Sequence, residues 1–270
     1  MRFLILLIVF CASTTSAQSC EKPLLFYVGP FISSNFIPEY WSEFIKSVES
    51  KTNCKVQVKT TESYTQYLIE LIEKQGDIYL APDHYFSALK EIGFKAIISS
   101  PKKGHFYLIS KLNINNDITL LKGQTIAIAG PYTKAHLFLI NWLKKHNLLD
   151  KVDIKALPRH DDITLSVLSG EFATGGILNI MYERLPKFVT DKYFKIPFGS
   201  PGGAKILIHD TQNQALTKAI TSSRSLIKLL SNWQPSDPNE EAELSNEFKA
   251  QFNNFKSTLP KQIKRRPYIH

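Results

Sequence analysis

The sequence predicts an α/β protein of two lobes, each a mostly parallel sheet flanked by helices, with the last helices returning to the first lobe. Three observations carry that expectation. From Leu24 to Gly93, short apolar runs alternate with amphipathic helical patterns in the order βαβαβα, which implies a parallel sheet. After about residue 110 the strand–helix pattern restarts. From Gln214 onward helical patterns dominate. The expected division is residues 18–108 plus 205–270 for lobe one and 109–204 for lobe two.

Met1–Ala17 stands apart from the fold. Arg2 gives a charged start, Phe3–Ala12 an apolar run and Thr15-Ser16-Ala17 a small-residue cleavage site, the pattern of a secretory signal. Acylation at Cys20 is the weaker reading, because Ala17-Gln18-Ser19-Cys20 lacks the usual large aliphatic residue. Periplasmic export follows from the signal. It favours one disulfide between Cys20 and Cys54, the two cysteines left once Cys11 departs with the leader. Both precede a predicted strand, which places them at one sheet end; two separate buried thiols are the alternative.

Leu24–Val28 is a continuous apolar run, hence a central strand. Gly29-Pro30 ends it, and a helix follows with Tyr40, Trp41, Phe44, Ile45 and Val48 on one face. Lys55–Lys59 alternates and reads as a half-buried strand. Ser63 caps the next helix and Gly76 ends it. Asp77–Ala81 is the third strand, and Pro82-Asp83 opens a short helix carrying Tyr85, Phe86 and Leu89. Lys95–Ser99 and His105–Ser110 are further strands.

The second batch begins with strand Thr125–Ala129, a Gly130-Pro131 turn and a helix from about Tyr132 with Leu137, Phe138, Ile140, Trp142 and Leu143 in helical rhythm. Asp153–Leu157, Phe172–Ile177, Phe194–Phe198 and Lys205–His209 are strands, with helices at Ile163–Leu168 and Asn179–Leu185. Gly199–Gly203 reads as a flexible turn and candidate hinge. Leu216–Leu230 and Ala242–Phe255 are helical, separated by Pro235-Ser236-Asp237-Pro238.

The formal charge is +9, or +8 without Arg2. A basic exported protein meets anions or anionic surfaces; export argues against nucleic acid. The cluster at 261–266 reads as a solvated tail. Two thiols and scattered histidines lack metal-ligand spacing, so no metal or cofactor is expected. No Ser, Cys or carboxylate pair stands in a nucleophilic or acid–base motif, and Gly130–His136 lacks the Walker spacing, so an enzyme is not expected.

The turn after Thr125–Ala129 is the candidate site. A strand feeding a helix leaves free N–H groups at the carboxyl edge of the sheet, where anions are favoured. Thr133 adds a hydroxyl and Lys134 a positive charge. His160-Asp161-Asp162 is expected to supply a helix cap and a ligand contact. Arg159 faces an anion or the surface, and Phe31 is a candidate apolar wall.

Three segments then carry a resemblance: Asp77–Tyr85, Tyr107–Pro131 with Leu120-Leu121-Lys122-Gly123-Gln124-Thr125-Ile126-Ala127, and His160–Gly170. In this order and spacing they resemble the substrate-binding proteins of phosphate, phosphite and phosphonate ABC transporters, of the type 2 periplasmic binding fold. The resemblance runs from about Leu24 to His209. It implies a pocket with Tyr85, Tyr107 and His160 and a Ser/Thr run at the helix start, here Thr133-Lys134-Ala135-His136. Lys134, Ala135 and His136 depart from the family's usual Thr, Ser and Gly, and the family's Asp falls on Ala173. The implied protein is a monomeric receptor that delivers a small phosphate- or phosphonate-like anion to an ABC permease. The alternative is a sensory or interaction module of the same fold, signalling to a membrane sensor kinase or cyclase.

Overall fold

The computed structural model describes residues 20–30, 34–101, 104–230, 232–240, 242 and 244–259. The leader, Phe31 and the basic stretch 261–266 lie outside them. No helix among the described residues is long and apolar enough to cross a membrane.

The first batch of elements is β1 (Leu24–Val28), α1 (Ile37–Thr52), β2 (Val56–Thr60), α2 (Tyr64–Ile72), β3 (Ile78–Pro82), α3 (Phe86–Glu91) and β4 (Lys95–Ser99). The second is β5 (Phe106–Ser110), β6 (Thr125–Ala129), α4 (Lys134–Lys145), β7 (Asp153–Leu157), α5 (His160–Ser169), β8 (Thr174–Leu178), α6 (Asn179–Glu183), α7 (Lys187–Thr190) and β9 (Phe194–Gly199). The chain closes with β10 (Ala204–Ile208), α8 (Gln214–Ser223), β11 (Gln234–Pro235) and α9 (Ser245–Thr258).

Two sheets form, in the orders β11-β4-β10-β3-β1-β2 and β7-β6-β8-β5-β9. Strand β1 pairs parallel with β2 and β3, and β6 parallel with β7 and β8. The strands that follow each crossing between sheets run the other way: β5 is antiparallel to β8 and β9, and β10 to β3 and β4. Both sheets are therefore mixed, with most strands pointing one way and the crossing strand inserted against them. The expected division at residue 108 falls inside β5, all of which pairs within the second sheet.

Each sheet is covered on both faces, and strand alternation assigns the residues. Phe26, Val28, Ile78, Leu80, Ile206 and Ile208 face α1 and α8, around Trp41 and Phe44. Tyr27, Tyr79, Ala81 and Leu207 face α2, α3 and α9. In the second sheet Ile126 and Ile128 face α4, while Ala127 and Ala129 face α5. Gly175 lets α5 lie close on β8: a Cβ there would stand 2.6 Å from Val167 Cγ2.

Cys20 and Cys54 form a disulfide across the start of β1 and β2. The helix expected over Leu216–Leu230 ends sooner. Its α part stops at Ser223, a 3-10 turn covers Arg224–Leu226, and Leu230 adopts a positive φ of 62°.

Candidate functional site

A cavity of about 300 Å³ lies between the two sheets. The first sheet contributes Leu80, Pro82, His84 and Ala204; the second contributes Phe106, Leu178 and the start of α4. Tyr40 and Tyr64 reach in from α1 and α2, and Met181, Leu229 and Leu230 extend an apolar wall.

The start of α4 is built as its sequence predicts, two residues later than expected. Thr133 is the N-cap and its hydroxyl oxygen accepts the His136 N–H at 3.2 Å. The same hydroxyl donates to Gly130 O at 2.9 Å. The first α-helical bond runs from Leu137 N–H to Thr133 O, so the N–H groups of Lys134 and Ala135 precede the intrahelical ladder.

Lys134 is 3% exposed and donates from Nζ to Asp83 Oδ1 at 3.1 Å. Asp83 is 6% exposed, and its Oδ2 accepts the Gly203 N–H at 2.8 Å. The pair spans the two sheets: Lys134 opens α4 beside β6, and Asp83 follows β3. Gly202, at φ 72°, has its backbone against the pair; a Cβ there would overlap both Lys134 Nζ and the Asp83 carboxylate. Further contacts cross the cleft, among them the one between His84 Nε2 and Tyr132 O at 3.4 Å. Arg184 donates to the Tyr40 hydroxyl, and the rings of Tyr64 and His160 meet edge to face at 6.4 Å.

Both cavity histidines are held neutral. Burial pushes His160 down to about 4. Burial, then the Lys134 charge, pushes His84 down to about 3. The 3.9 Å approach of His84 Nδ1 to Asp83 is thus a polar contact rather than an ion pair. His160 Nδ1 is buried without a hydrogen-bond partner among the described residues.

Of the expected site residues, Thr133, Lys134, Ala135 and His160 line the cavity. Tyr85 does not: it is fully buried beneath α9, stacked on Phe248 at 4.1 Å and 14°. The 3-10 turn Asp83–Tyr85 points His84 at the cavity, sets Asp83 just behind the lining against Lys134 and Gly203, and turns Tyr85 away. Tyr107 also faces elsewhere, with the Lys195 ammonium 4.9 Å from its ring centre. Arg159 is the N-cap residue of α5, half-buried and outside the cavity. Asp161 and Asp162 do not cap that helix; they lie in its first turn, where the helix dipole favours negative charge. No group of His, Cys, Asp and Glu among the described residues could hold a metal.

Asp83, Tyr64 and Phe106 were not expected in the site. For Asp83 a signal existed: it follows the third strand at the carboxyl edge of a sheet, the same position that singled out Thr133. Tyr64 and Phe106 carry no local signal, because their place depends on how the two sheets face each other.

The family described as the periplasmic substrate-binding protein of phosphonate ABC transporters matches residues 26–232. Among solved structures, a methylphosphonate complex of a protein from Prochlorococcus marinus has a TM-score of 0.70 at 11% identity, covering 86% of this chain and 98% of that one. A binding-protein component of an ABC phosphonate transporter from Pseudomonas aeruginosa gives 0.61 at 14% identity over 88% and 87%. The alkanesulfonate-binding protein from Xanthomonas axonopodis pv. citri, bound to MOPS, gives 0.53 at 16% over 87% and 81%. At these identities the likeness is one of fold. No curated protein matches the sequence.

Proposed function

Since the chain belongs to the periplasmic substrate-binding proteins of phosphonate ABC transporters, we propose that it captures a small organic anion in the cavity between its sheets and presents the closed form to a permease. The observation that carries this reading is the cavity itself, with the free N–H groups of α4, Lys134 and His160 at one end and apolar residues along the rest. A head group with acceptor oxygens fits the first part, and an alkyl or aryl body fits Leu178, Met181, Leu229 and Leu230. Methylphosphonate and MOPS, the molecules held by two of the related folds, are both oxyanion heads on organic bodies. The protein acts as an exported monomer, its leader removed, and performs no chemistry on the solute.

Each sheet with its covering helices forms one lobe, and the crossings that lead into β5 and into β10 form the hinge. Closure is a population shift that the ligand drives by touching both lobes at once.

The test is a thermal-shift screen of the mature protein against alkylphosphonates and alkylsulfonates of increasing chain length, followed by calorimetry. A receptor gains stability with the logarithm of ligand concentration above its dissociation constant. Affinity should rise with chain length until the apolar wall is covered. Absence of any shift in ligand-free protein would overturn the reading.

A further inference from the structure

The charge inside the cleft is already balanced, and this decides which head groups it accepts. Lys134 and Asp83 are both buried and sum to zero. The two cavity histidines are neutral. Asp83 lies just behind the lining, and the charged residues on the lining other than Lys134, namely Glu183 and Arg184, are exposed at its rim.

Asp83 is fixed where it stands. One oxygen takes Lys134, and the other takes the backbone N–H of Gly203 in the chain crossing, with Gly202 leaving room for both. The carboxylate therefore stays at the mouth of α4 when a ligand arrives. The Thr133 hydroxyl proton is committed to Gly130 O, so it offers nothing to an oxyanion. Around the mouth of α4 the donors are two backbone N–H groups, the ring N–H of His160 and the spare hydrogens of Lys134; Tyr40, Tyr64, Asn179 and Arg184 add donors elsewhere on the lining.

A doubly charged head would set two negative charges beside a third in a largely apolar cavity. Like charges held a few ångströms apart disfavour one another's ionised forms, and buried charge without a partner is costly. A singly charged head meets half that opposition and needs fewer donors. Building on the receptor reading, we propose that Asp83 is a specificity-determining residue. By neutralising Lys134 inside the cleft, it reserves the site for organic solutes with a singly charged head, such as sulfonates or phosphonate monoesters, and turns away doubly charged phosphonates.

The experiment is isothermal titration of the mature protein with propylsulfonate, propylphosphonate and the monomethyl ester of propylphosphonate, at a pH where the free phosphonate is a dianion. The sulfonate and the ester should each bind roughly tenfold or more tightly than the dianion. In Asp83→Asn, which can still accept the Gly203 N–H, the preference should move roughly tenfold toward the dianion. In the double variant Asp83→Asn/Lys134→Gln, the cleft is again uncharged and the wild-type preference should return. The ester needs no variant, so the comparison stands even where Asp83→Asn fails to fold. Tighter binding of the dianion by the wild-type protein, or an unmoved preference in folded Asp83→Asn, would overturn the proposal. Heat from none of the ligands in any of the proteins would instead overturn the receptor reading, and this one with it.

Discussion

The stack of Tyr85 on Phe248 can be cut from both sides, with opposite results expected. Phe248 is fully buried and touches three rings: Tyr85 at 4.1 Å, His84 at 5.1 Å and Phe252 at 5.9 Å. Phe248→Ala removes the main anchor of α9 and opens a cavity behind the turn that carries Asp83. Phenylalanine-to-alanine changes in cores cost about 3–5 kcal/mol. At about 2–4 °C per kcal/mol for a chain of this size, the midpoint should fall by roughly 6–20 °C. Tyr85→Phe keeps the ring contact and deletes a hydroxyl that is buried without a partner among the described residues. Relief of an unsatisfied buried group amounts to about 1–3 kcal/mol, so this variant should melt higher. Differential scanning calorimetry reads both. A fall of less than about 2 °C for Phe248→Ala would show that α9 is not docked, since even one kcal/mol moves the midpoint that far. Weaker ligand binding by Tyr85→Phe would return Tyr85 to the pocket wall and refute the burial argument.

Three further outcomes are expected. His84 and His160 are held neutral in the folded protein, at about 3 and about 4, against 6.5 for the ordinary side chain. Their contribution is therefore fully present above pH 6.5 and is lost as pH falls toward 4 and then 3, at up to about 1.4 kcal/mol per unit for each; denaturant titrations of His160→Gln should show a shallower acid loss than wild type. Breaking Cys20–Cys54, which closes a span of 34 residues, should cost about 3.8 kcal/mol by loop entropy, read as a lower urea midpoint in dithiothreitol that Cys20→Ser/Cys54→Ser reproduces. Thr133→Ala removes the cap on His136 N–H and should cost about 1 kcal/mol, whereas Thr133→Ser should restore it; a large affinity loss in Thr133→Ser would contradict the cap role.

Several strands were legible from their own residues. Leu24–Val28, Lys95–Ser99, Thr125–Ala129 and Asp153–Leu157 form with the bounds their short β-branched and apolar runs predict. Elsewhere the ends move by a residue or two, as at Ile78–Pro82 and Thr174–Leu178, where pairing with distant strands sets the register. Mixed strand direction was less legible, since it follows from the chain changing sheets twice. The site divided along the same line. Thr133, Lys134, Ala135 and His160 could be placed because strand ends and helix starts are local. The burial of Tyr85 by Phe248, 163 positions away by the difference of their numbers, and the pairing of Lys134 with Asp83 depend on which surfaces meet. The sequence therefore offered Lys134 as a free cation, when its charge is already answered.

The Lys134–Asp83 contact also bears on how the two halves find each other. It joins groups from opposite sheets beside a chain crossing, where the Gly203 N–H also holds Asp83. Burying the pair strips water from both ions, and the attraction gained roughly offsets that loss. The contact thus behaves as an alignment pin rather than a spring. It fixes the angle at which the halves meet while adding little force to hold them, and the force has to arrive with the cargo. A pin of this kind gives a permease one repeatable shape to read.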